Sequence, residues 1–163
     1  MQAMGEPFTV AIQTRVGDVN FTGHVDNVEA LRVVDEARMR FFGLRSPRTG
    51  EHAPGVMDAL ADGLLPVVVS HRLEYHQELL PSLVEPYVVR VWTARVGSSS
   101  FTLDTTISHA PSGAAPAVVA ETTLVVQDLS TGRASEMTPA VRAALEAHER
   151  APLPLRPRPV GEN

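Results

Sequence analysis

The chain contains no cysteine. That excludes disulfides and thiolate zinc sites, and it is compatible with a reducing compartment. No apolar run is long enough to span a bilayer. The opening MQAMGEPF has neither the basic nor the apolar region of a secretory signal. An excess of basic residues is also missing: 14 Lys and Arg stand against 19 Asp and Glu, a formal charge of −5. Nothing in that balance calls for nucleic acid or an anionic membrane surface as a partner. The expectation is a soluble, cytoplasmic protein. Its 163 residues suit one domain with a substantial core, and no internal repeat divides it.

What is present is a β-rich chain with one prominent helix. Residues 8–16, FTVAIQTRV, read as a strand. Residues 27–42 read as a helix with Ala30, Val34, Ala37 and Phe41 on one stripe. Asp26 is its N-cap, Glu29 completes a capping-box pair, and Gly43 is its C-cap. The alanines invite close packing by a curved sheet. Residues 44–66 are broken by Pro and Gly, with a short helix at 56–63, and read as a lid or a lip over a pocket. Four long strand segments follow, at 65–77, 84–96, 100–109 and 117–129, separated by turn signals. Residues 138–149 read as a capped helix with Pro139 at its first position. The domain thus covers 1–150, and the Pro-rich tail 151–163 reads as extended or disordered. The order strand, helix, four strands, helix predicts an α+β fold with a five-stranded antiparallel sheet. One helix covers one face of that sheet, so pairing through an edge or the open face is expected.

The stretch GDVNFTGHVDNVEALRVVDEAR, residues 17–38, poses the functional question. A polar loop with Asp18, Asn20, His24, Asp26 and Asn27 runs straight into the helix. It is either cap chemistry or a reaction centre on a helix N-terminus. The stretch resembles the motif GDxDxxGHVNNxxYxxxxEEAR of hotdog-fold acyl-CoA thioesterases of the 4-hydroxybenzoyl-CoA thioesterase type. RLEYHQELL (72–80), ARVGSSSFTLDTTIS (94–108), VVAETTLVVQDLSTGRA (118–134) and TPAVRAAL (138–145) resemble later segments of that family, in the same order. The likeness covers roughly residues 8–148.

The resemblance implies a hotdog fold, a curved antiparallel sheet wrapped around the long helix. It implies a homodimer or homotetramer with sites at the subunit interface. It implies hydrolysis of an acyl thioester, from acyl-CoA or an acyl carrier protein, without metal or cofactor. The chain departs from the family pattern at four places. Asn20 stands where many members carry the catalytic carboxylate, Asp26 replaces an Asn, and Ala30 replaces a Tyr. The basic residues that hold CoA phosphates in some relatives are absent near the SSF turn, where Gly97-Ser98-Ser99-Ser100 stands with only Arg95 close by. An amide cannot act as a general base.

Unpaired N–H groups at a helix start can stabilise an oxyanion, which points to Asn27. Gly23 lets the backbone turn tightly and a ligand approach. His24 can take a proton from water or return one to the leaving thiolate, and Asn20 can hold the water. The missing basicity has three candidate sources: Asp18, Glu78, and the helix pair Asp35/Glu36. Glu78 ends LEYHQE, which is similar to a segment of plant acyl-carrier-protein thioesterases that carries a catalytic carboxylate. Arg95 and Ser98, Ser99 and Ser100 are candidate contacts to the carrier of the acyl group. Simpler readings exist for each: Asp26 as cap, Asp18 as a loop tie, Glu36 with Arg38 as an ion pair, Glu78 as a strand-end charge, the serines as a turn. His71 and His76, five apart, face opposite sides of a strand and suggest no metal site.

Two other functions compete. An (R)-specific enoyl-CoA hydratase, also hotdog, has a motif resembling GDxNPxHxD. Its Asn and His are separated by two residues, whereas three separate Asn20 from His24. A non-catalytic acyl-thioester-binding protein is the third reading, kept open by Asn20.

Overall fold

The computed structural model describes residues 5–110 and 115–157. Helix α1 (Asn27–Phe42) has the bounds the sequence pattern predicts. The Asp26 side chain accepts a hydrogen bond from Val28 N at 2.9 Å, satisfying one of the orphan donors of the first turn. Glu29 does not close a capping box, because its carboxylate is drawn to Arg15 and Arg32 instead. Gly43 ends the helix at φ 99°, where any other residue is strained. A Cβ on Gly55 would overlap the backbone of Phe42 and Gly43. Two glycines are therefore what allow the following segment to fold back against the end of α1.

The strands are β1 (Phe8–Ile12), β2 (Leu44–Arg45), β3 (His52–Ala53), β4 (Leu64–Tyr75), β5 (Tyr87–Val96), β6 (Ser100–Ser108), β7 (Val118–Asp128) and β8 (Arg133–Ala134). The main sheet is antiparallel in the order β1-β5-β6-β7-β4, with β8 added to β7. The predicted five strands are its body. The two-residue β8 and the small β2–β3 hairpin are additions too short for periodicity to reveal. The first strand stops at Ile12 because residues 16–18 form a 3₁₀ turn. β5 begins at Tyr87 because Pro86 and a Ser82–Glu85 turn interrupt the apolar run before it. The short helix predicted at 56–63 is a 3₁₀ turn over Val56–Ala59. It packs on α2 (Pro139–Glu146) and the end of α1. Residues 54–59 thus pack at the C-terminal end of α1, where Pro54, Gly55 and Val56 line a hollow with Phe8, Phe41 and His148, and residues 64–66 already belong to β4.

Register shifts between Val68 and Ser70 in β4, and between Thr93 and Arg95 in β5, bend their strands. The sheet curls into a half-barrel with α1 in its concavity, a hotdog fold. Ala30, Val33, Val34, Ala37, Phe41 and Phe42 of α1 are buried against an inner face that includes Val89, Val91, Phe101, Leu103, Ile107, Ala120 and Leu124. The small side chains at 30 and 37 let the strands close on the helix.

The outer face is covered too. After α2 the chain pairs alongside β5 through Thr93 and Glu149. It then crosses the sheet at a steep angle to the strands. Trp92 Nε1 donates to Ala151 O at 3.2 Å on β5, and Leu153 N donates to Asp104 Oδ2 at 2.6 Å on β6. On β4, Arg156 N donates to Glu74 Oε1 at 2.8 Å, and the Arg72 guanidinium reaches Arg156 O. Residues 151–157 are therefore extended and strapped to the sheet; 158–163 lie outside the described residues. Proline suits such a strap because a single extended chain has no ladder to donate to.

The strap buries Asp104, leaving Oδ1 without a partner. Burial pushes its carboxyl up to about 6; Glu121 on β7 adds to the rise, while the Leu153 N–H and Arg95 oppose it. A raised carboxyl favours the fold when protonated, so this contribution is full below about pH 4 and is lost as pH rises through 6. Asp104→Asn keeps an acceptor for Leu153 and removes the charge. The melting temperature of Asp104→Asn is expected to gain on that of the wild type between pH 4 and pH 7. A pH-independent gap would show that Asp104 does not titrate in this range.

Candidate active site

The loop before α1 is built by one side-chain carbonyl and one carboxylate. Asn20 Oδ1 accepts from Thr22 N at 3.0 Å, Thr22 Oγ1 at 2.6 Å and His24 N at 3.2 Å. Asn20 N donates to His24 O at 2.8 Å, and Gly23 N to Asn20 O at 3.0 Å. Gly23 sits at φ 85°, the conformation that closes this turn and that a side chain resists. Below the turn, the Asp18 carboxylate is 1% exposed. It accepts from Arg15 N at 2.9 Å, Arg15 Nε at 2.8 Å and Arg32 Nη2 at 2.9 Å. Burial works against its ionisation, but the Arg15 hydrogen bonds and the Arg32 charge outweigh it and hold the carboxyl at about 2. Arg32 belongs to α1, so Asp18 fastens the loop to the helix. Asp18 O also accepts from Asp26 N at 2.9 Å.

A second segment comes up beside this loop. β4 ends at Tyr75, and Tyr75 Oη donates to Asn27 O at 2.9 Å. Burial, with the nearby Asp26 charge, pushes the Tyr75 hydroxyl up and keeps it a donor. Val25 N donates to Leu79 O at 2.9 Å. Between the two segments lies a cleft of about 440 Å³, lined by Asn20, His24, Asn27, Ala30, Tyr75, His76, Gln77 and Glu78 among others. His24 Nε2 is 3.4 Å from Glu78 Oε2. His24 Nδ1 lies 3.4 Å from Thr22 Oγ1 on the other side of the ring. Val28 N is taken by the Asp26 cap, whereas Asn27 N has no partner among the described residues. Ala30, one turn into the helix, lines the same cleft.

The cleft therefore unites Asn20, His24, Asn27 and Glu78, with Gly23 shaping the turn between the first two. Asp18 is placed beneath the loop rather than in the cleft, with both carboxylate oxygens engaged by arginines. Asp35 pairs with Arg38, and Glu36 with Arg32 and Arg40 at 2.9 and 2.6 Å; the Glu36–Arg38 pair is not formed. Ser98, Ser99 and Ser100 lie elsewhere. Ser100 is level with Val125, whereas Tyr75 is level with Val118 and Ile107. Seven residues of strand separate those levels, roughly 23 Å within one chain. The turn is held from its other side, with Ser98 O accepting from Met137 N and Ser99 O from Val126 N. Arg95, at the end of β5, shares that end of the sheet.

Tyr75, His76, Gln77 and Thr22 were not legible as site residues. The signal available was the end of a strand at LEY, which turns the next side chains toward whatever packs beside it. His71 is hydrogen-bonded to Thr122 at 3.0 Å within the sheet, far from pairing with His76. Among the described residues, no group of three or more His, Asp or Glu is arranged to hold a metal ion.

Residues 14–145 match the family model described as the thioesterase-like superfamily. The chain belongs to the thioesterase-like superfamily. The matched span runs from the loop through α1 and strands β2 to β8 into α2. Solved structures of thioesterases resemble this one. A thioesterase from Thermus thermophilus, complexed with coenzyme A and Zn, is 28% identical with a TM-score of 0.66, covering 94% of this chain and 100% of its own. The dynemicin thioesterase, described with bound polyene, is 21% identical with a TM-score of 0.72, over 90% of this chain and 100% of its own. A predicted thioesterase from Bacillus stearothermophilus is 19% identical with a TM-score of 0.70, over 90% and 98%. No curated protein matches. Among the described residues, no helix of this thioesterase-superfamily chain is long and apolar enough to cross a membrane.

Removing the buried Asp18 carboxylate takes the acceptor from Arg15 N and cuts the link between loop and helix, leaving Arg15 and Arg32 only their bonds to Glu29 and Glu36. Asp18→Ala is expected to cost about 2 kcal/mol in urea unfolding. An unchanged unfolding midpoint would show that the loop is held by its backbone alone.

Proposed function

We propose that the protein hydrolyses an acyl thioester, carried by CoA or an acyl carrier protein, to the free acid and thiol. The observation that carries this reading is the His24–Glu78 pair at 3.4 Å beside the unpartnered Asn27 amide, in one cleft of a superfamily member. The thioester oxygen sits on the Asn27 N–H, where the helix start favours developing negative charge. His24 takes a proton from water as the water oxygen attacks the carbonyl carbon. The Glu78 carboxylate then faces an imidazolium. The C–S bond breaks, and His24 returns the proton to sulfur. Asn20 presents its amide N–H₂ to the cleft, since its carbonyl is spent on the loop, and steers the water. Asp18 serves this chemistry by holding the loop. No metal or cofactor enters these steps, and we place the reaction in the cytoplasm.

We infer a homodimer through the free edge of β4, where Leu65 and Val69 are exposed, with a tetramer formed from two such pairs. A two-fold axis beside β4 sets the Tyr75 end of one copy against the Leu64 end of the other. Val67 is level with Val125 and Ser100. Such pairing brings Arg95 and Ser98–Ser100 of a second copy to the level of the first copy's cleft, where they contact the carrier portion of the substrate.

The test is thiol release from a panel of acyl-CoAs, short, long and aromatic, read with a thiol-reactive dye to which this cysteine-free chain is silent. Turnover on at least one class is expected. No release from acyl-CoA or acyl carrier protein, with binding retained, would instead mark a non-catalytic thioester-binding protein. His24→Ala should lower kcat by about 10²-fold or more. Glu78 is 69% exposed, so Glu78→Gln should cost no more than about fivefold, the worth of an exposed ion pair. A loss as large as that of His24→Ala would make Glu78 the base itself. Asn20→Asp retains the loop acceptor and is expected to keep or raise activity.

A further inference from the structure

The hydrogen bonds of the 20–24 turn decide more than its shape. The Asn20 side chain faces two backbone N–H groups, those of Thr22 and His24, at 3.0 and 3.2 Å. Only its carbonyl oxygen can accept from both; the flipped amide would set donor against donor. The Thr22 hydroxyl lies 2.6 Å from that same oxygen. Its single proton must therefore be donated to Asn20. Toward His24 Nδ1, 3.4 Å away, the Thr22 oxygen can then act only as an acceptor. Contacts of this length are common in ligand-free sites and shorten when substrate binds. The neutral imidazole has one N–H, for which the Glu78 carboxylate at Nε2 competes. That carboxylate is 69% exposed and shared with solvent, whereas the Thr22 oxygen is held in place by its bond to Asn20, so the fixed acceptor at Nδ1 keeps the proton.

We propose that Thr22 is a positioning residue that fixes His24 in its Nδ1–H tautomer and so leaves Nε2 bare toward the cleft. The inference rests on the proposed hydrolase reading for its catalytic meaning. Its structural content stands on the hydrogen bonds alone. Bare Nε2 faces Glu78 Oε2 at 3.4 Å, and neither atom carries a proton to give the other. The pair becomes a two-acceptor seat for the two O–H bonds of one water molecule. Seated there, the water is oriented for attack and the base beside it already has its lone pair exposed. The carbonyl at position 20 is thus the origin of a relay that runs Asn20, Thr22, His24.

The test uses the full chain with ¹⁵N-labelled histidine, followed by long-range ¹H–¹⁵N correlation at about pH 8.5, where an ordinary imidazole is neutral. His24→Gln identifies the His24 signals among six histidines. Thr22 is exposed, so Thr22→Val is isosteric and leaves the backbone bonds of the turn in place. The wild type and Thr22→Ser should show the Nδ1–H form. Thr22→Val should gain the Nε2–H form, with kcat lowered by about tenfold or more at unchanged KM and restored in Thr22→Ser. An Nε2–H tautomer in the wild type, or no change in Thr22→Val, overturns the inference. A tautomer change without loss of turnover upholds the inference on Thr22 and instead removes His24 from the proposed chemistry.

Discussion

The buried carboxylate of Asp18 is the constraint on which the site depends. Among the described residues, the loop before α1 has one β-bridge, Val19 with Val25 inside the loop itself, and one backbone bond to the segment after β4, Val25 N to Leu79 O. Left to itself it would sample many conformations, and ordering each residue costs about 1–2 kcal/mol. Asp18 offsets that cost by joining Arg15, on the strand side, to Arg32, one turn and more into α1. Because Arg32 is also held by Glu29 and Glu36, the anchor is itself immobile. The turn above it then has little freedom, and the His24 ring is delivered to the open end of the helix.

The same helix is held from the other direction by the sheet. Its small residues at 30 and 37 allow close approach, and β4 closes the curve so that Tyr75 ends beside Asn27. The cleft lies where two independently fixed pieces meet: a loop tied by ions and a strand end tied by a tyrosine. The strap on the outer face completes the burial of the central strand β6, whose residues are almost all buried on both faces. Helix inside and strap outside make β6 the most enclosed part of the molecule. A carboxylate at its centre carries the electrostatic cost of that enclosure.

Much of this was legible in the sequence. The Asp26 cap, the Ala-rich stripe and Gly43 bounded α1 to the residue, because caps and periodicity are local properties. The long strand segments could be read for the same reason. Glu29 and the Glu36–Arg38 pair were misread because an ion-pair partner is chosen by reach, and Arg32 and Asp35 were nearer. The extent of the Val56–Gly63 turn was misread because its length is set by packing against α2 and the end of α1, which no window of sequence contains. Among site residues, Asn20, His24 and Asn27 stood out because they share one loop. Tyr75 and Thr22 did not, since a hydroxyl has no signature until its partner is known.

The sequence by itself determined the elements, their order, the superfamily motif and the residue types available for chemistry. These follow from side-chain periodicity and backbone preference over a few neighbouring residues. Only the tertiary structure decided that Glu78, fifty-four positions from His24, faces its Nε2, that Asp18 is consumed beneath the loop, and that the 98–100 turn lies at the far end of the same chain. Those facts depend on strand register and sheet curvature. Both are set by the packing of the whole core, and neither is a property of any one segment.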